Sequence, residues 1–205
     1  MISEGTNNGI SGLVLAGGKS SRMGHDKGLA DWHGKPQRYY IADLLAKVCD
    51  AVYISCREDQ VKDITTYYPT LTDTYTDMGP MGAMLTAMEK FPGTTWLITA
   101  CDLPLIDAVT LEYLVNNRDP GTIATTFESP YDSLPEPLIT IWEPASYTFL
   151  LEKAREGFKC PRKVLINSNA IIIKAPDTTA LMNVNTPDEA AKAKAIINLK
   201  SVAVR

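Results

Sequence analysis

With 205 residues, 45% of them hydrophobic and 21% charged, the chain has ordinary globular composition and length for one sizeable core, so one domain over 1–205 is expected, its core over about 10–200. A net charge of −4 argues against a general nucleic-acid surface, although local cations can still hold a small anion. The opening "MISEGTNNGI" does not read as a leader, no run is apolar enough for a membrane, and Cys49, Cys56, Cys101 and Cys160 form no Cys-x-x-Cys pair, so neither membrane nor zinc is expected and reduced thiols in a cytoplasm are.

Strands and helices alternate along the chain. "SGLVLA" (11–16) reads as a buried strand ending at Gly17-Gly18. Ile41, Leu44, Leu45 and Val48 follow helical spacing, which starts a helix near Pro36. "AVYIS" (51–55) reads as a second strand, 58–67 as a polar helix, and a third strand ends near Asp73. Pro80 suits a first helical turn, followed by a methionine stripe, Met81, Met84 and Met88, that suits core packing. "TTWLITACDLP" is β-rich and stops at Asp102 and Pro104, and Asp107 can cap the next helix. "GTIATTF", "PLITIW" and "AIIIKA" read as strands, and "ASYTFLLEKAREG" as a helix closed by Gly157. In "TPDEAAKAKAIINLK", Thr186 is the N-cap, Pro187 the first helical residue, and Glu189 completes a capping box.

Alternation of this kind predicts an α/β three-layer sandwich around a mostly parallel sheet, a Rossmann-like architecture. Ligands of such sheets sit beyond the carboxyl ends of strands, which selects Gly17 onward, the region of Asp73, and Asp102.

The stretch "GLVLAGGKSSRMGHDKG" (12–28) has the makings of a phosphate loop. It is not a Walker A loop: four residues after Gly12 comes Gly17, and Gly18 stands where lysine is required. Adjacent glycines also break the dinucleotide fingerprint Gly-x-Gly-x-x-Gly. What remains is a strand end, two glycines that let backbone amides approach an anion, and the cations Lys19, Arg22 and Lys27. Those suit a polyphosphate. A glycine turn with solvated charges is the plainer alternative, and Lys19 in particular suits solvent. His25 and His33 do not read as a metal pair.

The pattern Leu15-Ala16-Gly17-Gly18-x-Ser20-x-Arg22-Met23-Gly24 followed by Asp26-Lys27 resembles the signature loop of the molybdenum cofactor guanylyltransferase family, a branch of the nucleotidyltransferases with a glycosyltransferase-A-like fold. "GKP" (34–36), "DMGPMGAM" (77–84), "TACDLP" (99–104) and "NVNTPDE" (183–189) resemble further motifs of that family, in the same order. The resemblance implies nucleotidyl transfer: GMP passes from GTP to molybdopterin, pyrophosphate leaves, and Mg²⁺ assists. It implies catalytic roles for Arg22, Lys27 and Asp102. It implies a nucleotide site at Leu15, Ala16, Gly17, Gly18, Lys27, Cys56, Asp73, Gly79 and Asp102, with Gly82 letting backbone approach the base or ribose. Asp102 and Asn185 would hold the metal. Asn183, Asn185, Arg162 and Lys163 would meet the acceptor, molybdopterin, beside "PEPLITIW" (135–142). Cys56 stands where the family commonly carries Asn. Proteins that deliver the labile cofactor or receive the product are implied as partners.

Each residue also has a plainer reading. Asp102 before Leu103-Pro104 suits a turn, Asn183 and Asn185 suit the approach to a capped helix, Gly79 and Gly82 suit a helix start and close packing, and Arg162 and Lys163 suit surface cations. Three rival functions stay open: a cytidylyltransferase of the same cofactor, which more often carries "LAAG" at the loop; another small nucleotidyltransferase such as a sugar-1-phosphate enzyme, which would share the fold and metal chemistry but is usually longer; and a non-catalytic nucleotide-binding protein on the same fold. Absence of the dinucleotide fingerprint argues against a dehydrogenase.

Overall fold

A computed structural model describes residues 9–18, 27–64 and 68–203. Its centre is one sheet of seven strands: β1 (Ile10–Leu15), β2 (Ala51–Cys56), β3 (Thr70–Thr72), β4 (Thr95–Ala100), β5 (Ala124–Glu128), β6 (Pro135–Trp142) and β7 (Ile171–Ile173). The order across the sheet is β3-β2-β1-β4-β6-β5-β7. Strands β1 to β4 pair in parallel, β6 runs antiparallel to both β4 and β5, and β7 is parallel to β5.

Period-two alternation sends successive side chains of the central strands to opposite faces. In β1, Ile10 and Val14 join one apolar cluster while Leu13 joins the other; in β4, Leu97 divides from Trp96 and Ile98 in the same way. Helices α1 (Gln37–Leu45) and α3 (Ala108–Asn116) cover the first face with Ile41, Leu45, Leu111 and Leu114. Helices α2 (Pro80–Lys90), α4 (Ser146–Arg155) and α5 (Pro161–Ile166) cover the second with Met81, Met84, Leu150 and Val164. The methionine stripe is thus core packing, each fully buried side chain of this size contributing about 1.5–3 kcal/mol. Helix α6 (Pro187–Ala203) lies on a third, small cluster of Leu105, Val184 and Ala193.

Most expected elements form within a residue or two of their predicted bounds. Asp107 caps α3 by accepting from the Thr110 amide at 2.9 Å. The capping box of α6 forms: Glu189 accepts from the Thr186 amide at 2.9 Å while Thr186 Oγ1 accepts from the Glu189 amide. Two readings are corrected. The polar helix over 58–67 is only a 3₁₀ turn at Glu58–Asp63, because Gln60 turns inward and Ile64 is already extended; 65–67 lie outside the described residues. Conversely, α5 arises where only two cations were noted; Pro161 starts it, and Val164 and Leu165 anchor it on the sheet.

The register decides where a ligand can go. Leu15 pairs with Ser55 on one side and Ala100 on the other, so three strands end at one level. The chain runs outward from β1 to β2 and β3, then returns to place β4 on the other flank of β1. A crevice opens at that reversal. Among the described residues, no helix is long and apolar enough to cross a membrane.

Candidate active site

A cavity of about 680 Å³ occupies the crevice, a size that takes a nucleotide. Its walls come from the carboxyl ends of all four parallel strands: Leu15 to Gly18 after β1, Ser55 and Arg57 to Asp59 after β2, Asp73 and Tyr75 to Asp77 after β3, and Ala100 to Asp102 after β4. Lys27, Gly28, Gly79, Pro80, Ala83 and Leu138 complete it. Of the residues predicted for the nucleotide, Leu15, Ala16, Gly17, Gly18, Lys27, Asp73, Gly79 and Asp102 all line this space. Arg22, with Lys19 and Asp26, lies outside the described residues.

Cys56 differs from expectation. Its side chain is fully buried and is absent from the cavity wall. Ser55 and Arg57 on either side face the cavity, so strand alternation turns Cys56 the other way. Burial, then the neighbouring Asp73, pushes its thiol up to about 11.

Asp73 is held on both sides. Ser55 Oγ donates to its Oδ1 at 2.6 Å, and Gly17 packs so closely that a Cβ there would sit 2.9 Å from its Oδ2. Burial raises its carboxyl above the ordinary range, opposed by the Ser55 hydrogen bond and by Arg57. Gly82 also has a steric reason, but not that of a wall: a Cβ there would lie 2.3 Å from the Tyr75 carbonyl oxygen. The close approach it permits is between α2 and the 73–78 loop. Gly79 precedes α2 at φ 56°, ψ −142°, a region glycine alone enters freely.

The cavity floor carries the charged centre. Lys27 Nζ donates to Asn185 Oδ1 at 2.5 Å and stands 3.7 Å from Asp102 Oδ2. The other carboxylate oxygen, Asp102 Oδ1, is buried with no hydrogen-bond partner. Burial raises the Asp102 carboxyl, and Lys27 pulls it partly back. The surrounding turn is braced from several directions. Val184 N–H donates to the Asp102 carbonyl at 2.8 Å, and Gln37 Nε2 donates to the Leu103 carbonyl at 3.1 Å. The His33 ring stacks on Tyr40 and bonds the Pro104 carbonyl through Nε2. Asn185 is fixed by the capping box, because Glu189 Oε2 accepts from its amide at 2.7 Å.

An oxygen set of this composition fits magnesium. Asp102 offers a buried, unsatisfied carboxylate oxygen and Asn185 an amide oxygen, and a lysine ammonium already sits on both residues. A hard cation that keeps waters and shares phosphate oxygens needs no more carboxylates than one or two. Among the described residues there is no cluster of three His, Cys, Asp or Glu side chains.

The expected acceptor residues are distributed less evenly. Asn183 has a buried Oδ1 without a partner, and Asn185 touches Lys27. Arg162 donates from Nη1 to Asp132 at 2.7 Å and from Nη2 to the buried Glu136 at 2.9 Å. Burial raises the Glu136 carboxyl, Arg162 opposes it, and Asp102 is near enough to add to the rise. Lys163 is exposed on α5. Neither cation lines the cavity, because α5 turns them toward the β5–β6 hairpin and solvent.

Sequence reading missed Arg57 and Gln60. Both follow β2, where only a polar helix was expected, and both bond the glycine turn. The signal was present in the position after a strand end, but not in any motif.

Residues 12–170 match the family model described as MobA-like NTP transferase domain. The chain is 37% identical to a molybdenum cofactor biosynthesis bifunctional protein of Synechocystis over 88% of its own length, and spans about half (52%) of that relative. It is 30% identical to a molybdenum cofactor guanylyltransferase of Pseudomonas fluorescens, covering 86% of this chain and 89% of that one. Among solved structures it is similar in fold to molybdopterin-guanine dinucleotide biosynthesis protein A of Archaeoglobus fulgidus, at a TM-score of 0.76 and 20% identity over 92% of this chain and 98% of that one. With that family model matched over residues 12–170 and these relatives, the chain belongs to the MobA-like NTP transferase family.

Proposed function

We propose that this chain transfers GMP from GTP to molybdopterin. A phosphate oxygen of molybdopterin attacks the α-phosphorus of GTP, the bond to the bridging oxygen of the β-phosphate breaks, and pyrophosphate leaves. The observation that supports this best is the Lys27–Asp102–Asn185 centre at the floor of a cavity rimmed by the glycine turn.

The chain's part in such a reaction is positioning and charge neutralisation. Gly17 and Gly18 meet the triphosphate with backbone amides. Leu15, Ala16, Asp73 and Gly79 bound the nucleoside. The carboxylate of Asp73 suits the guanine edge, whose N1–H and amino group are both donors, and a wrong base leaves that acceptor unpaired. Lys27 neutralises charge at the α-phosphate, and Arg22 serves the departing pyrophosphate. Asp102 and Asn185 would hold Mg²⁺. Bound there, the metal would supply charge neutralisation for the reacting phosphates. Lys27, which donates to Asn185 Oδ1 in the free protein, would turn its ammonium to the nucleotide phosphates. Asn183 and Asn185 face the acceptor. One domain, with its core over about 10–200, carries all of these roles, in the cytoplasm where GTP is available.

The experiment is calorimetric titration with GTP, CTP, ATP and UTP, each with and without Mg²⁺. Selective GTP binding strengthened by Mg²⁺ is expected. Preference for CTP transfers the proposal to the cytidylyl reaction, and binding of no nucleotide, with molybdopterin present or absent, overturns it.

A further inference from the structure

The glycine turn after β1 is gripped by the segment that follows β2, through Arg57 on the cavity wall and Gln60 outside it. Arg57 Nη1 donates to the Gly17 carbonyl at 2.7 Å, and Gln60 Nε2 donates to the Ala16 carbonyl at 3.2 Å. Gln60 is buried, and its Oε1 accepts from the Arg57 amide at 3.0 Å, so the carboxamide has one orientation. Arg57 is itself held by Asp59, with Nε and Nη2 on the two carboxylate oxygens at 3.0 and 3.1 Å. The two donors thus act on two successive peptide groups.

Planar trans peptides point each carbonyl opposite to the amide N–H of the next residue. Fixing the Ala16 and Gly17 carbonyls on the clamp therefore turns the amides of Gly17 and Gly18 away from it. Both glycines line the cavity. Without the clamp, two adjacent glycines would sample many peptide orientations, and only a fraction would present both amides together.

We propose that Arg57 and Gln60 are positioning residues that hold these two peptide planes, so that the amides face the triphosphate before the nucleotide arrives. Donors set in advance need no reorganisation on binding. Asp59 neutralises much of the Arg57 charge, which leaves orientation as its main contribution. The inference rests on the nucleotide-binding reading and names residues that no motif of the sequence singled out.

The test uses Gln60→Met, which keeps the volume and removes the donor at a position outside the cavity wall. Binding of GTP, GMP and guanosine is measured by calorimetry with Mg²⁺, alongside steady-state kinetics and thermal unfolding. The expected result is a loss of about tenfold in GTP affinity, in the range of one oriented hydrogen bond. GMP should lose less and guanosine nothing. The KM for GTP should rise while kcat stays within about threefold, a split that marks a binding role. Arg57→Lys, which keeps one donor but loses the fork to Asp59, should show a smaller loss of the same pattern, and it replaces Gln60→Met if that variant fails to fold. Unchanged GTP affinity in the folded variant, or an equal loss for guanosine and GTP, overturns the clamp. If the wild-type chain binds GTP and the variants bind it equally, the clamp alone falls; if the wild type ignores GTP, the nucleotide reading falls and the clamp with it.

Discussion

Replacing Asp102 by Ala should separate stability from activity. In the metal-free protein Asp102 Oδ1 is buried without a partner, a state that costs about 1–3 kcal/mol. The 3.7 Å contact from Asp102 Oδ2 to Lys27 is partly solvated and returns about 0–1 kcal/mol. The carboxylate stands at a cavity floor, so water can enter the space it vacates, and its main chain stays tied to Val184. The net effect of Asp102→Ala is a gain of about 1 kcal/mol, or ~2–4 °C in Tm for a chain of this size. The gain depends on pH. Burial lifts the folded carboxyl above its unfolded value, so the native state binds the extra proton. Wild-type stability therefore falls as pH rises from the unfolded carboxyl range, about 3.9, through the raised folded value, and the penalty is complete above that. The advantage of the variant should be present at pH 7 and shrink toward pH 4. Transfer should move the other way, falling at least ~100-fold, because a preorganised electrostatic group is lost. Thermal unfolding followed by near-ultraviolet circular dichroism, without Mg²⁺, and GTP-dependent pyrophosphate release measure the two effects. A Tm several degrees below wild type would show that Asp102 is a structural residue and refute the stability reasoning; wild-type turnover would refute its catalytic role.

Other outcomes follow from the same geometry. Lys27→Ala should cost at least ~100-fold in kcat while thermal stability changes little, and near-normal turnover would remove Lys27 from the chemistry. Arg118→Met should destabilise by about 3–5 kcal/mol, since the guanidinium donates from Nε and Nη2 to the buried Glu143 at 2.6 and 2.8 Å and its loss leaves that carboxylate unpaired; urea unfolding measures it, and a change under 1 kcal/mol would refute that account. Native protein treated with iodoacetamide at pH 8 should take one adduct, at the exposed Cys160, because Cys101 is buried and burial pushes the thiols of Cys49 and Cys56 up to about 12 and about 11. Mass spectrometry showing rapid labelling of any of the other three would contradict the burial.

Much of this site is legible in the sequence because strand ends leave local marks. Gly17-Gly18 after an apolar run, Asp73 after "PTLT" and Asp102 after "WLITAC" each fall at a carboxyl end, and the parallel register brings those ends to one level. The Thr186–Glu189 capping box was equally local, and its second use, fixing the Asn185 amide, needed the fold. Long-range polar contacts leave no such mark. Gln60 reaching Ala16 and Arg162 closing on Glu136 depend on how separate elements face each other, and a pair of cations in "CPRKVL" gives no hint that a carboxylate already awaits one of them. Cys56 shows the limit of position-by-position reasoning: one step along a strand exchanges a cavity wall for an interior.

The contact between Lys27 and Asn185 joins residues 158 apart in the chain. A growing polypeptide therefore acquires the parts of its centre in a fixed order. The glycine turn and Lys27 emerge first, Asp102 follows once β4 has supplied the central pairing, and Asn185 comes after both. At ordinary rates of synthesis, on the order of ten seconds separate Asp102 from Asn185. During that interval a nascent chain carries the glycine turn, Lys27 and Asp102 without Asn185, so the Lys27–Asn185 contact is among the last long-range links the fold can make.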